Sequence, residues 1–229
     1  MDTNTNKNII IIPFRDRETH LKYFLKNSLP KIKNTLPNLE IIIVEQTNGK
    51  KFNRGLTINI GYHYYNNDNY YYITHDVDTN PVNDIALNMY NKELKEKEVY
   101  SIYSNEITLG GCFKIKGIDF KRINGFPNDF WGWGCEDRDI LNRCQYFNYS
   151  IVRGIGAYSK DSTKYFNRLS DNHNREANDK HNFTYNSWNG LSKEKKHDYI
   201  SSNGLSTMNY KILKDELIQE GVRKILVDI

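Results

Sequence analysis

Apolar residues along the chain fall into short continuous runs separated by helical spacings, the pattern of strands alternating with helices. Residues 8–12 form an isoleucine run closed by Pro13, which predicts a buried first strand that the proline ends. Leu21, Phe24, Leu25, Ile32 and Leu36 recur at helical spacing, with an interruption expected at Pro30. Residues 39–44 predict a second strand. Strand, helix, strand is a βαβ unit and implies parallel pairing with a right-handed crossover. Residues 52–64 predict a helix, 70–74 a strand, 84–97 an amphipathic helix, and 99–103 and 111–116 two further strands. Residues 124–135 are too rich in Gly, Pro and aromatics to be regular. Residues 136–147 predict a helix with Ile140, Leu141, Cys144 and Phe147 on one face, and 150–153 a strand. Residues 161–198 are polar and aperiodic and predict a mobile surface segment. Residues 205–213 and 222–229 predict two closing strands. The expected fold is α/β: one domain over 1–229, with a mostly parallel central sheet flanked by helices and a loop-rich C-terminal third.

Composition narrows this only slightly. A chain of 229 residues buries roughly 70% of its unfolded surface and needs no disulfide or metal to fold. A net charge of +4 is too weak for a nucleic-acid footprint, and equally suits a phosphate-bearing small ligand. No apolar run reaches the roughly 18 residues of a membrane span, and the polar start MDTNTNKN does not read as a signal peptide. Cys112, Cys135 and Cys144 are odd in number and lack zinc spacing, so reduced thiols in the cytoplasm are expected. The 17 tyrosines are read as strand packing, not as a ligand platform.

Three stretches carry candidate chemistry. His75-Asp76-Val77-Asp78 follows a predicted strand, so it lies at the carboxyl end where open α/β sheets bind ligands. Its two carboxylates, two residues apart on extended chain, point the same way and offer hard oxygens for Mg2+ or Mn2+. A solvated turn is the rival reading. Phe130-Trp131-Gly132-Trp133-Gly134-Cys135-Glu136-Asp137-Arg138-Asp139 joins two indoles, suited to sugar faces, to acids at a helix start. There the dipole favours the ionised carboxylate that a general base needs. A capped helix behind an aromatic core loop is the rival. Pro13-Phe14-Arg15-Asp16-Arg17, with Phe52-Asn53-Arg54, offers arginines for phosphate and an aromatic for a base; surface pairing and core packing are the rivals. His173 sits in the polar segment and gains interest only if that segment folds over a metal.

These motifs together resemble the β-1,4-galactosyltransferase family, including its xylosyl-protein branch. The resemblance rests on the strand ending Pro-Phe-Arg-x-Arg at 13–17, Phe-Asn-Arg at 52–54 and Asp-Val-Asp at 76–78. It continues through Gly110-Gly111, Ile-Asn-Gly-Phe-Pro at 123–127, Trp-Gly-Trp-Gly-x-Glu at 131–136, and Asn203-Gly204-Leu205. These occur in the family's order over roughly residues 9–229. The resemblance implies a GT-A fold, a UDP-sugar donor, Mn2+ (with Mg2+ as the alternative) and inversion at the anomeric carbon. It implies Asp78 and His173 as metal ligands, Asp137 as the base with Glu136 beside it, and Asp76 and Val77 at the donor. Pro13, Phe14, Arg15, Arg17, Phe52 and Arg54 would hold uridine and diphosphate. Thr108, Gly110, Gly111 and Trp133 would face the donor sugar, and Trp133, Asp137 and Arg138 the acceptor. Residues 1–110 would form the nucleotide-sugar half and 111–229 the acceptor half.

Three departures bear on substrate. Ser170 stands where vertebrate members carry a metal-ligating Met. Arg138 replaces an acid that helps bind GlcNAc, so an acidic acceptor is conceivable. Thr108 replaces a bulky Tyr, so an N-acetylhexosamine fits beside the family's galactose. Lacking the family's Golgi anchor, the chain resembles a soluble viral or microbial member. The expected partners are a UDP-sugar and a carbohydrate or glycoprotein acceptor, with no nucleic acid and no membrane. The competing function is a sugar- or nucleotide-binding module that has lost turnover.

Overall fold

The first strand is apolar on every side because it lies inside a sheet covered on both faces, as a strand flanked by parallel neighbours requires. In the computed structural model, which describes residues 7–170, 176–178 and 188–229, β1 (Asn8–Phe14) is buried along its whole length. Ile9 and Ile11 pack on one face and Ile10 and Ile12 on the other. The elements that follow are α1 (Glu18–Tyr23), α2 (Leu29–Thr35), β2 (Leu39–Gln46), α3 (Arg54–Tyr65), β3 (Tyr71–His75), β4 (Thr79–Pro81), α4 (Asp84–Met89), β5 (Glu98–Ser104) and β6 (Cys112–Lys116). The chain continues with α5 (Gly117–Arg122), α6 (Glu136–Tyr146), β7 (Ser150–Gly156), α7 (Ser162–Tyr165), β8 (Phe166–Arg168), α8 (Lys193–Ser201), β9 (Lys211–Gln219) and β10 (Val222–Asp228).

Eight strands form one sheet in the order β7-β5-β6-β3-β1-β2-β10-β9, and β4 with β8 forms a separate ribbon. The core of the sheet, β3-β1-β2-β10, is parallel, as is β5 with β7; β6 and β9 run antiparallel to their neighbours. Helices α3 and α6 cover one face through Leu56, Ile58, Ile60, Ile140 and Leu141. The other is covered by α1, α2 and α4 through Leu21, Ile32, Ala86 and Leu87. This is the expected α/β architecture with a mostly parallel sheet. Among the described residues, no helix is long and apolar enough to cross a membrane.

Several boundaries differ from expectation for physical reasons. Pro13 does not end β1: it pairs with Val44, and its missing N–H costs no ladder bond because pairing with β3 has already stopped at Ile11. The first helical region is interrupted by a π-helical turn at Phe24–Ser28, upstream of Pro30, and the proline sits in the first turn of α2 where it is tolerated. α4 stops at Met89 and not at 97. Tyr90 turns into the core, where its hydroxyl lies 2.7 Å from His75 Nε2 and its carbonyl accepts from Lys114 Nζ at 3.0 Å. Residues 205–207 form a 3-10 turn and not a strand, because Leu205 N donates to Asn124 O at 3.0 Å. The segment 161–198, expected to lack regular structure, contains α7, β8 and the start of α8. α5 was not anticipated; one short turn leaves little periodicity.

A buried arginine joins the irregular segment after α5 to the chain after α8. Arg143 is fully buried; its Nε donates to Asp139 Oδ1 at 2.6 Å and its Nη atoms to the carbonyls of Asn124, Gly125 and Asn203. Removing it strands the Asp139 charge and three carbonyls. Arg143→Ala is expected to lower the unfolding free energy by about 3–5 kcal/mol, measured by urea denaturation; a loss below about 1 kcal/mol would mean that the network adds little.

Candidate active site

Five segments meet at the carboxyl ends of β1 and β3, the edge where open α/β sheets bind ligands. They enclose a cleft of about 600 Å³. Pro13, Arg15 and Arg17 enter after β1, and Phe52 and Arg54 at the start of α3. Asp76, Val77 and Asp78 follow β3; Thr108, Gly110 and Gly111 come from the β5–β6 loop; Trp133, Glu136, Asp137 and Arg138 come from the start of α6.

Arg54 ties these walls together. Asn53 caps α3 by accepting from Leu56 N at 2.9 Å, which sets Arg54 as the first helical residue. From there its Nε and Nη2 each lie 2.9 Å from Asp76 Oδ1, and its Nη1 lies 3.6 Å from Glu136 Oε1. Burial by itself would weaken the guanidinium's hold on its proton, but Asp76 and then Glu136 raise it above its ordinary value. The bridge spans the acid pair after β3 and the acid pair opening α6.

The start of α6 depends on glycine. Gly132 and Gly134 take φ of +100° and +115°, and a Cβ on Gly132 would lie 2.7 Å from Glu176 O. Cys135 is left-handed at φ 73° without being glycine, a strained turn that starts the helix inside the cleft. Burial, then the Asp137 charge, pushes the Glu136 carboxyl up to about 7 against the pull of Arg54. Glu136 Oε2 is buried and has no hydrogen-bond partner among the described residues. Burial also raises Asp137, opposed by Arg54 and by a hydrogen bond from Thr108. Gly110 makes room for this acid: a Cβ there would lie 2.7 Å from Asp137 Oδ2.

Asp78 is buried, and its Oδ2 faces Arg17 Nη1 at 3.4 Å and Arg168 Nε at 3.5 Å. Burial and then Asp76 raise its carboxyl, against Arg168 and Arg17. His75, by contrast, belongs to the core. Burial lowers its pKa to about 4, and its ring stacks against Tyr90.

The chain matches two family descriptions: the N-terminal region of glycosyl transferase group 7 over residues 3–92, and the N-terminal domain of galactosyltransferase over residues 93–169. It belongs to the β-1,4-galactosyltransferase family. Human β-1,4-galactosyltransferase 6 is 34% identical over 161 residues, 66% of this chain and 41% of that protein. Human β-1,4-galactosyltransferase 4 is 32% identical over 177 residues, 71% of this chain and 49% of that protein. The matched part thus spans less than half the length of these relatives. Among solved structures, the catalytic domain of Drosophila β1,4-galactosyltransferase 7, in complex with xylobiose, superposes with a TM-score of 0.75 at 25% identity, covering 98% of this chain and 94% of that one. A mutant of that enzyme, solved with manganese, UDP-Gal and xylobiose, gives the same TM-score at 24% identity and shows the same GT-A fold.

Most of the residues expected from the family motifs line the cleft, but not all. Phe14 does not: it is buried beneath Lys224, whose Nζ lies 4.9 Å from the ring, because side chains alternate along β1 and its neighbours Pro13 and Arg15 take the cleft side. Val77 borders the cleft but is 3% exposed and packs in the core. Phe52 lies under Arg15, with the guanidinium 5.3 Å from the ring. Trp133 is 56% exposed, its backbone bridged to Ala177. His173 lies outside the described residues. Ser170 lies within them, its carbonyl 3.1 Å from His20 Nε2. Asp16, within the candidate stretch 13–17, lines the cleft too, as do Arg168, Tyr103 and Tyr158, which no candidate stretch includes. No local motif marks Arg168; only the β4–β8 ribbon delivers it.

The raised Glu136 value has a thermodynamic consequence. Its folded-state value lies above the ordinary 4.5, so the folded protein keeps a proton that the unfolded chain releases. The stability from this group is complete below about pH 4.5 and is lost as pH rises through about 7. Glu136→Gln lacks this titration, so its stability relative to the native sequence is expected to climb between about pH 5 and about pH 8. Urea unfolding at both ends of that range checks it; a pH-independent difference would contradict the raised value.

Proposed function

We propose that this chain is a metal-dependent, inverting glycosyltransferase that moves a hexose, galactose by its family, from a UDP-sugar to a hydroxyl of a carbohydrate or glycoprotein acceptor. The observation that carries the reading is the Arg54 bridge, which brings the Asp76–Asp78 and Glu136–Asp137 pairs to one cleft. The named activity of the relatives supports it, as does the manganese, UDP-Gal and xylobiose bound by the Drosophila enzyme.

The donor set suits a divalent cation. Asp78 offers a hard carboxylate oxygen whose present partners are two guanidinium groups at 3.4 and 3.5 Å, which a divalent cation would displace. No group of three or more His, Cys, Asp or Glu assembles among the described residues; further ligands would come from donor phosphate and from His173. Bound there, the Mn2+, or Mg2+ in its stead, supplies Lewis-acid stabilisation of the departing diphosphate.

The chain's own groups divide the remaining work. Asp137 accepts the proton of the acceptor hydroxyl as that oxygen attacks the anomeric carbon and the sugar–phosphate C–O bond breaks on the opposite side. Thr108 and Gly110 hold Asp137 in position. Glu136 lies beside Asp137 in the same cleft, with one carboxyl oxygen that no described residue satisfies. Arg15 and Arg17 meet the charge that develops on UDP, and Phe52 lies beneath Arg15 as a platform for the uracil. Trp133 offers an exposed indole face to sugar, and Arg138 faces the acceptor. Residues 1–110 hold most of the donor, and 111–229 receive the acceptor. The reading extends to compartment: Cys112, Cys135 and Cys144 are free and buried, which suits the reducing cytoplasm.

Release of UDP from a panel of UDP-sugars, with and without Mn2+, tests the proposal. Release is expected to need metal, and Asp137→Asn to lower transfer at least roughly 100-fold while sparing UDP binding. Transfer retained in that variant would remove Asp137 from the role of base; nucleotide binding with no transfer by the native chain would leave a binding module. Thr108→Tyr is expected to reduce N-acetylhexosamine transfer more than hexose transfer, read as the ratio of the two rates; an unchanged ratio would remove Thr108 as a selector.

A further inference from the structure

We propose that Arg168 is a donor-diphosphate ligand, exchanging its contact with Asp78 for the diphosphate when Asp78 takes the divalent cation. The inference rests on the glycosyltransferase reading of the cleft.

The backbone of Arg168 is fixed. It pairs with Thr79 in the β4–β8 ribbon, Leu169 N donates to Asp78 O at 2.9 Å, and the ribbon is anchored by Phe166, whose buried ring lies 4.7 Å from that of Tyr103. The head group is less constrained. Its side chain is 42% exposed, against 14% for Arg54, and Nε lies 3.5 Å from the same Asp78 oxygen that Arg17 approaches at 3.4 Å. A charge-assisted bond from nitrogen to carboxylate settles at about 2.7–2.9 Å. Arg54 achieves that distance on Asp76; neither arginine does on Asp78. Asp76 is therefore firmly clamped, whereas Asp78 shares one oxygen between two loose partners.

That arrangement suits exchange. A divalent cation at Asp78 satisfies the carboxylate and repels both guanidinium groups at close range. The diphosphate bound beside it presents the paired oxygens that the planar guanidinium fork matches. Arg17 reaches this place from the turn after β1 and Arg168 from a separate ribbon, so the two can hold the diphosphate from different elements.

The test uses UDP and Mn2+ as probes on the full chain, with UDP binding measured by calorimetry and Mn2+ binding by electron paramagnetic resonance. Arg168→Gln is expected to weaken UDP binding in Mn2+ by about 10-fold, while Mn2+ alone binds as well as before or tighter, because a competitor for Asp78 is gone. Arg168→Lys keeps the charge without the fork and is expected to fall between. An Arg168→Gln protein with unchanged UDP binding, or with UDP and Mn2+ binding lost together, overturns the proposal. Absence of metal-dependent UDP binding in the native chain would instead remove the donor reading on which it rests.

Discussion

A guanidinium taken out of water must be met by negative charge, and that requirement organises this cleft. Arg54 is buried at the first turn of α3 and reaches carboxylates from two other parts of the chain, Asp76 and Glu136. Neither acid is comfortable in its place without the arginine, nor the arginine without them. The end of β3, the start of α3 and the start of α6 are therefore held to one another by charge as well as by packing. The glycines around them serve that approach: Gly110 yields space to Asp137, and Gly132 lets the chain pass close to Glu176.

The two acid pairs sit in different electrostatic settings. Asp76 is gripped at 2.9 Å, while Asp78 has two arginines at 3.4 and 3.5 Å on one oxygen. Glu136 lies beside Asp137 in a dry helix start, where burial first and then the Asp137 charge push the Glu136 carboxyl up to about 7. Groups whose protonation or partners change at small energetic expense are suited to receiving a proton or a ligand, whereas a buried, short ion pair such as Arg143 with Asp139, at 2.6 Å, is suited to holding loops in place.

Much of this was legible in the chain itself. The isoleucine run of β1, the apolar face of α6 and the Asp-Val-Asp and Trp-Gly-Trp-Gly-x-Glu strings are local patterns, and the elements they predicted are present. The misreadings arose where a distant residue overruled local pattern. Tyr90 caps α4 at the point where its hydroxyl meets His75 and its carbonyl meets Lys114 in the core. Pro13 stays in its strand because the neighbour that would have needed its N–H has already ended. Phe14 shares a motif with Arg15, yet strand alternation sends it to the core.

Periodicity and motif chemistry therefore determined which elements form and which side chains carry charge, metal-ligating oxygen or an indole face, because those properties depend on neighbours a few bonds away. Tertiary structure alone decided the strand order, the meeting of the two acid pairs across Arg54, and the arrival of Arg168 at Asp78. These are long-range pairings, selected by burial and charge compensation between segments that have no regular spacing in sequence.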